Sequence, residues 1–343
     1  MTIIMEPSTP NALLADGVDV GSIDYSSLPE VPSFYLIERT SAVVDCCNPH
    51  EIATRIICCL QKLSIIAPFN SEDASFFAEA VDHTKFYIRL YKSNNKSILV
   101  EFQRLDGNSF DFVEYARVII AAARGETVDG RIMVKSSSLN FIPAPCHANK
   151  CHQPDDVCAE YMMHIAELLQ NYRSDAVILG VESILLLTDQ ERSQVSLYAA
   201  EAVLHGKGHP VVKNFIHKCI LDSCQSDILH NTALAALGNS LQTALDAECS
   251  VLSTLVQSDE WMEQSGLVDA LLYELSQAHD RSHDAYHAAR CLNALLDSSP
   301  DMKKTLEERG LPRIMKDAQA VGRKSHSLLV HECDAGLALM ADV

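Results

Sequence analysis

The sequence predicts two folded parts of different class: an α+β module, in which an antiparallel sheet is packed by two helices, and an all-α solenoid that follows it. Two neighbouring runs of alternating apolar and polar residues before residue 106 indicate paired strands. After Pro154 this alternation ends, and apolar residues recur at helical spacing in a series of short segments. Short helical segments joined by a few residues are typical of helical repeats.

Residues 1–45 are predicted to be a disordered leader, because they are rich in Ser, Pro, Asp and Gly. The apolar runs in this stretch are residues 34–37 and 42–44. A short strand that pairs late with the module therefore stays open as an alternative.

The α+β module is predicted over residues 46–125. Its first helix begins at Asn48 and Pro49, since Asn accepts backbone N–H groups and Pro suits the first helical turn. The buried stripe of this helix is expected to consist of Ile52, Ile56, Cys59, Leu60 and Leu63. Further strands are expected at residues 65–69 and 75–81.

A β-hairpin follows, with an inward face formed by Phe86, Ile88 and Leu90 on one strand and by Ile98, Val100 and Phe102 on the other. Residues 93–96 form its turn, because Asn tolerates the left-handed conformations that short hairpins need. Gly107 then turns the chain into a second helix, which begins at Asn108 or Ser109 and ends before Gly125.

The run Glu101-Phe102-Gln103-Arg104-Leu105-Asp106-Gly107-Asn108-Ser109-Phe110-Asp111-Phe112 resembles the closing strand and helix of the kinase-associated domain 1. The positions that match in type are Arg104, Gly107, Ser109, Phe110 and Phe112. The resemblance implies a binding platform that contacts anionic phospholipids or docks on a protein kinase. The sequence departs from the family in lacking a kinase domain upstream and in having few basic residues.

Five basic residues are the candidate contacts for an anionic surface, because we expect them to cluster on the outward strand face: Lys85, Arg89, Lys92, Lys96 and Arg104. The alternative is a solvated strand face without a ligand. The chain has a net charge of −19, which disfavours broad nucleic-acid binding.

Residues 126–154 are predicted to be a linker. Cys146, His147, Cys151 and His152 have the chemistry of zinc ligands, with Cys158 beyond, but no second close Cys pair accompanies them. We therefore expect free thiols in this linker and no bound metal or other cofactor. The 12 cysteines, some of them on helical apolar stripes, together with the absence of a signal peptide, predict a reduced, cytoplasmic location.

Residues 155–343 are predicted to form helical repeats. Helices are expected at 157–169, 177–187, 194–204, 210–223, 227–241, 248–257, 267–278, 283–296, 300–309, 312–320 and 325–340. Residues 265–272 resemble residues 309–315 at a spacing of about 44, and residues 231–239, 288–296 and 334–339 resemble the long third helix of armadillo repeats. The resemblance implies an armadillo-like array of about four repeats, whose concave face holds an extended peptide or a partner helix.

No catalytic motif emerges, so we expect a protein that is not an enzyme. His279, His283 and His287 are four residues apart, but a helix that begins near His283 would misalign the first, and a solvated polar face is the preferred interpretation. The leading hypothesis is an adaptor that binds a partner protein through the helical array and an anionic membrane or a protein kinase through the first module. The alternatives are a regulatory subunit without lipid contact, whose acidic array meets a basic partner, and a metal-dependent enzyme.

Overall fold

The structure, a computed structural model, describes residues 23–45, 48–93, 97–126, 154–222, 226–249, 251–255 and 257–341. The chain divides into two compact units, one that contains a β-sheet and one built of helices. The linker predicted over residues 126–154 lies in the sequence between the last helix of the first unit and the first helix of the second. Most of that linker, including Cys146, His147, Cys151 and His152, lies outside the described residues.

The N-terminal unit has an antiparallel sheet in the order β1-β5-β4-β3-β2. Its strands are β1 (Ser41–Val44), β2 (Phe69–Asn70), β3 (Ser75–Glu79), β4 (Lys85–Lys92) and β5 (Ile98–Asp106). Its helices are α1 (Pro49–Lys62) and α2 (Ser109–Ala123). The predicted hairpin is confirmed as β4 and β5, and both predicted helices are present.

The alternative of a short strand within the predicted leader is confirmed in its described part, and residues 1–22 lie outside the described residues. Strand β1 pairs with β5, with Ser41 opposite Glu101, and a short 3₁₀ turn covers Tyr25–Ser27. The few apolar residues of this stretch are enough to hold it on the sheet, because Leu28 and Val44 are buried in the core. Pairing with β1 also satisfies backbone groups that β5 would otherwise expose at the sheet edge.

The core of the N-terminal unit lies between the sheet and its two helices. Phe86 is fully buried at its centre, with its ring 6.4 Å from that of Phe102 and 5.7 Å from that of Phe112. Gly107 has a φ of +88°, and a Cβ there would collide with the backbone of Thr84. Glycine is therefore required where β5 turns into α2.

The C-terminal unit consists of helices in its described residues. They are α3 (Pro154–Leu169), α4 (Ser174–Thr188), α5 (Ser196–His205), α6 (Pro210–Leu221), α7 (Asp227–Asp246), α8 (Val251–Leu255), α9 (Asp259–Met262), α10 (Leu267–Ser276), α11 (Ser282–Ser298), α12 (Pro300–Glu308), α13 (Leu311–Ser325) and α14 (Ser327–Ala341). Each predicted helix has a counterpart among them. The short α9 is additional to the prediction.

Four of these helices pack side by side in one row. Helix α4 contacts α7, α7 contacts α11, and α11 contacts α14. We call α4, α7, α11 and α14 the central row. The three stretches in which the sequence predicts a long third helix belong to α7, α11 and α14. One hydrophobic cluster runs through this unit and includes Leu234, Leu292 and Leu329.

The contact between α11 and α14 depends on a close approach at Gly336. A Cβ at this buried position would collide with the side-chain oxygen of Asn293 and with Met315. A glycine therefore lets the last helix of the central row lie directly against its neighbour.

We predict that Gly336→Ala lowers the free energy of unfolding by about 1–3 kcal/mol, because the added methyl group overpacks this contact. The measurement is guanidinium denaturation followed by circular dichroism. The control is His331→Ala on the exposed side of α14, which should change stability by less than about 0.5 kcal/mol. Gly336→Ala that is more stable than the wild type by about 0.5–1 kcal/mol, the gain of alanine over glycine inside a helix, would show that the two helices do not approach closely here.

Candidate functional site

Two of the predicted basic contacts lie on the outer face of the sheet, away from α1 and α2. Lys85 and Arg89 alternate with the buried residues of β4. The Nζ atom of Lys85 lies 3.1 Å from a carboxylate oxygen of Glu79. Arg89 donates a hydrogen bond of 2.5 Å to Gln103 and stacks over the ring of Tyr87, 4.6 Å from its centroid. Both cations are therefore already engaged by neighbouring side chains.

The expectation that all five basic residues share the outward face is wrong for two of them. Arg104 lies directly opposite the buried Phe86 in the β4–β5 register, and Lys92 lies opposite the buried Ile98. Side chains that face each other across a ladder lie on the same side of the sheet. Both residues thus follow the alternation of the helix-covered face, at its ends, and Lys96 lies outside the described residues.

A buried carboxylate organises the outer face. Glu101 on β5 is 1% exposed, although its position in the strand alternation points it away from the helices. Its carboxylate accepts a hydrogen bond of 3.0 Å from the Tyr35 hydroxyl and one of 2.9 Å from the backbone N–H of Glu38. Burial, followed by the hydrogen bond and charge of Glu101, raises the pKa of Tyr35 to about 12. Glu101 thereby holds the chain before β1 against the sheet.

We call residues 29–40 the covering segment, because they cross the outer face between two backbone contacts. The Lys92 N–H donates to the carbonyl of Pro29, and the Phe102 N–H donates to the carbonyl of Thr40. On either side of the anchored Tyr35, the side chains of Phe34 and Leu36 are almost wholly in solvent, at 102% and 90% exposure. The covering segment therefore presents two large apolar side chains from a fixed backbone.

In the C-terminal unit, polar side chains connect successive helices of the central row. Arg290 on α11 donates a hydrogen bond of 3.1 Å to Asn239 on α7. Asn293 on α11 donates bonds of 2.9 Å to the backbone carbonyl and to the carboxylate of Glu332 on α14. Asn239, Arg290 and Asn293 are partly exposed, so these bonds lie along an edge that water reaches.

Among the described residues of the central row, the charged side chains classed as exposed are acidic. Each helix leaves some of its positions in water, and in α7 these positions lie near its two ends. Exposed acidic residues on these helices include Glu182 on α4, Asp246 on α7, Asp297 on α11 and Asp334 on α14. From Pro154 to Val343 the sequence has 28 acidic and 14 basic residues, a formal charge of −14.

A cluster of titratable side chains is buried between three helices of the C-terminal unit. His230 on α7, Glu274 on α10 and Asp284 on α11 are 3%, 5% and 6% exposed, and one ligand atom from each lies within 4.8 Å of the others. The sequence carries a signal for this cluster that the prediction missed. Each residue occupies an apolar phase of its helix, as Asp284 does before Ala288 and Cys291.

The predicted face of three histidines is not formed. His279 is exposed, precedes the first residue of α11 and bonds Asp280 at 2.8 Å. His283 and His287 are buried, so the prediction of a solvated polar face is wrong for both. Sequence spacing alone could not reveal that another helix junction covers this side of α11.

His283 forms a neutral pair with His326, which precedes α14. The Leu329 N–H donates to His326 Nδ1 at 3.1 Å, so this nitrogen is the acceptor of the neutral ring. The proton of His326 therefore sits on Nε2, which lies 2.9 Å from Nδ1 of His283 and donates to it. Burial, and then the neighbouring His283, lower the pKa of His326 to about 3.

Comparison with known proteins gives no assignment: no family model, no curated protein and no solved structure matches this chain. Among the described residues, no helix is both long enough and apolar enough to cross a membrane. The cysteines within the described residues, among them Cys219, Cys291 and Cys333, are free thiols.

We predict that His326 makes the protein less stable in acid. The unfolded chain takes up a proton near the ordinary histidine pKa of about 6.5, whereas the folded chain does so only near 3. The contribution of the neutral His326 to the free energy of unfolding is therefore fully present above pH 6.5 and is lost as pH falls toward 3. His326→Asn keeps a helix-capping acceptor but removes this titration.

The measurement is the free energy of unfolding of the wild type and His326→Asn by urea titration at pH 6.5 and 4.5. From pH 6.5 to pH 4.5, the free energy of unfolding of the wild type should fall by about 2 kcal/mol relative to that of His326→Asn. An identical pH dependence in the two proteins would contradict a neutral buried His326.

Proposed function

We propose that this protein is a non-enzymatic, cytoplasmic adaptor that holds a basic partner protein along the exposed surface of the central row. The observation that carries the proposal is the side-by-side packing of α4, α7, α11 and α14, each of which contributes an acidic residue to solvent. A row of helices that contact one another in succession gives an extended surface, which suits an extended peptide or a single helix of the partner. We interpret the row as an armadillo-like solenoid.

Charge supports a basic partner. The helical sequence carries a formal charge of −14, and such a field attracts cationic chains and speeds their association. The Asn239, Arg290 and Asn293 side chains on the same row supply hydrogen-bonding groups that fix the position of a bound backbone. Leu179 and Leu186 on α4 are about half exposed and add apolar contact at one end of the row.

We predict that selection of displayed random peptides against the full chain enriches basic sequences, and that their affinity falls steeply with salt. Asp246→Lys, Asp297→Lys and Asp334→Lys together should weaken the selected peptides at least tenfold, as measured by fluorescence anisotropy. The matched control is Asp301→Lys, Glu308→Lys and Asp317→Lys together, three exposed acidic residues on α12 and α13. Equal loss in the control would reduce the effect to net charge, and enrichment of neutral or acidic peptides would contradict the proposal.

For the N-terminal unit we propose docking on a protein, with a kinase catalytic domain as the first partner to test. Lys85 is paired with Glu79, Arg89 is bound to Gln103, and Lys92 and Arg104 follow the other face. Because these basic residues are paired or lie on different faces of the sheet, they give only weak electrostatic attraction to an anionic membrane. Phe34 and Leu36, presented by the anchored covering segment, instead provide apolar contacts of the kind that protein interfaces bury.

The alternative, contact with anionic lipid through the basic residues, is decided by co-sedimentation of the full chain with vesicles. We expect no more binding to phosphatidylserine-containing vesicles than to neutral ones, at low or high salt. Lys85→Glu with Arg89→Glu should leave this result unchanged. Salt-sensitive sedimentation with anionic vesicles that is lost in the double variant would establish the lipid contact and overturn the docking proposal.

A further inference from the structure

The buried His230 has a ring nitrogen, Nε2, without a hydrogen bond. Its Nδ1 lies 2.9 Å from the backbone carbonyl of Cys219. A carbonyl oxygen only accepts hydrogen bonds, so Nδ1 carries a proton, and in the neutral form of the ring the lone pair lies on Nε2. Nε2 lies 3.3 Å from Oε1 of Glu274, yet it makes no hydrogen bond. A lone pair that faces a carboxylate in a buried site calls for a cation between them.

The surrounding groups have the composition of a metal site. His230, Glu274 and Asp284 come from three different helices, and their ligand atoms lie within 4.8 Å of one another. One imidazole and two carboxylates form a ligand set used by zinc and related divalent ions. Oε2 of Glu274 also lacks a hydrogen bond, so a ligand oxygen is available.

Backbone and side-chain groups at the edge of this cluster orient its possible ligands. The Cys219 carbonyl fixes the ring of His230, and Nδ2 of Asn231 donates a bond of 2.7 Å to Oδ1 of Asp284. Arg281 lies 2.7 Å from Oδ2 of Asp284 and 3.5 Å from Oε2 of Glu274. Outer partners of this kind fix the tautomer and direction of metal ligands.

We propose that His230, Glu274 and Asp284 form a binding site for a divalent transition-metal ion of the zinc class, and that Arg281 occupies the place of this ion when it is absent. With a neutral His230, the two carboxylates and Arg281 carry a net charge of −1 in a buried volume. Exchange of the guanidinium for a divalent ion makes the site neutral. The Arg281 side chain is 32% exposed, so it lies at the mouth of the cluster and can turn into water.

The competing account is a proton on His230, which also neutralises the cluster and needs no metal. Burial lowers the pKa of His230, but the hydrogen bond and charge of Glu274 outweigh it and raise this pKa above its usual range, which favours the proton. The two accounts differ in the role of Arg281. If Arg281 competes with a metal ion for the same carboxylates, its removal increases metal affinity. If the cluster is only a network of ion pairs, removal of Arg281 gives no specific metal binding.

The test is titration of the full chain with Zn²⁺ and with Co²⁺, in wild type, Arg281→Gln and the double variant His230→Gln with Arg281→Gln. We expect Arg281→Gln to bind one ion at least tenfold more tightly than the wild type, and the double variant to lose that ion. The control is Arg309→Gln, which removes a comparable ion pair with Asp269 and should leave affinity unchanged. The Co²⁺ spectrum of this ion should lack thiolate charge-transfer bands, which separates it from ions held by the cysteines.

A second measurement uses the wild type, so that the test does not depend on the stability of Arg281→Gln. Zn²⁺ should raise the melting temperature of the wild type relative to that of His230→Gln, because the proposed site exists only in the folded chain, whereas zinc bound by unfolded cysteines and histidines affects both proteins alike. Affinity unchanged by Arg281→Gln, an ion retained in the double variant, or an ion bound only by thiolate would each overturn the proposal. An equal zinc shift in wild type and His230→Gln would do the same.

Discussion

Helix α7 is enclosed on nearly every side, and the rest of the C-terminal unit depends on how that enclosure is achieved. Residues from His230 to Leu237 are all buried, and most are small, which allows α4, α5, α6 and α11 to approach it. A helix buried all round cannot rely on an apolar stripe alone, so its polar residues must find partners within the protein. Asn231 does so with Asp284 and Ser240 with the carbonyl of Ala236. The enclosure of α7 therefore accounts both for the buried cluster of His230, Glu274 and Asp284 and for the packing of the neighbouring helices of the central row.

The N-terminal unit solves a related problem with a single carboxylate. Its sheet is packed by helices on one face, and the opposite face is covered in part by the covering segment. Glu101 is buried there and is satisfied by Tyr35 and by a backbone N–H. A buried charge with these partners fixes one path for the chain into β1. The same bonds determine that Phe34 and Leu36 point into solvent, so the apolar surface available for docking follows from the burial of Glu101.

Local signals account for what could be predicted. The cap at Asn108, the alternation of Phe86, Ile88 and Leu90, and the helical spacing after Pro154 act within a few residues, and they correctly predicted α2, the hairpin and the C-terminal helices. Contacts between distant residues account for what was missed or left open. Strand β1 depends on β5, about 60 residues away, and the face on which Arg104 lies depends on its register with Phe86. His230, Glu274 and Asp284 sit on apolar phases, but only the fold brings them together.

The central claim is that α7 and α11 form the enclosed centre of one cooperative helical unit. Hydrogen exchange of the full chain, followed by mass spectrometry of its peptides, tests it most directly. Amides of α7 and α11 should exchange most slowly in the C-terminal unit and with the same free energy of opening, which equals that of global unfolding. Amides of α3 and α14 should exchange earlier through local opening. Exchange of α7 before α14, or at a free energy well below that of α11, would contradict α7 and α11 as the enclosed centre of the C-terminal unit.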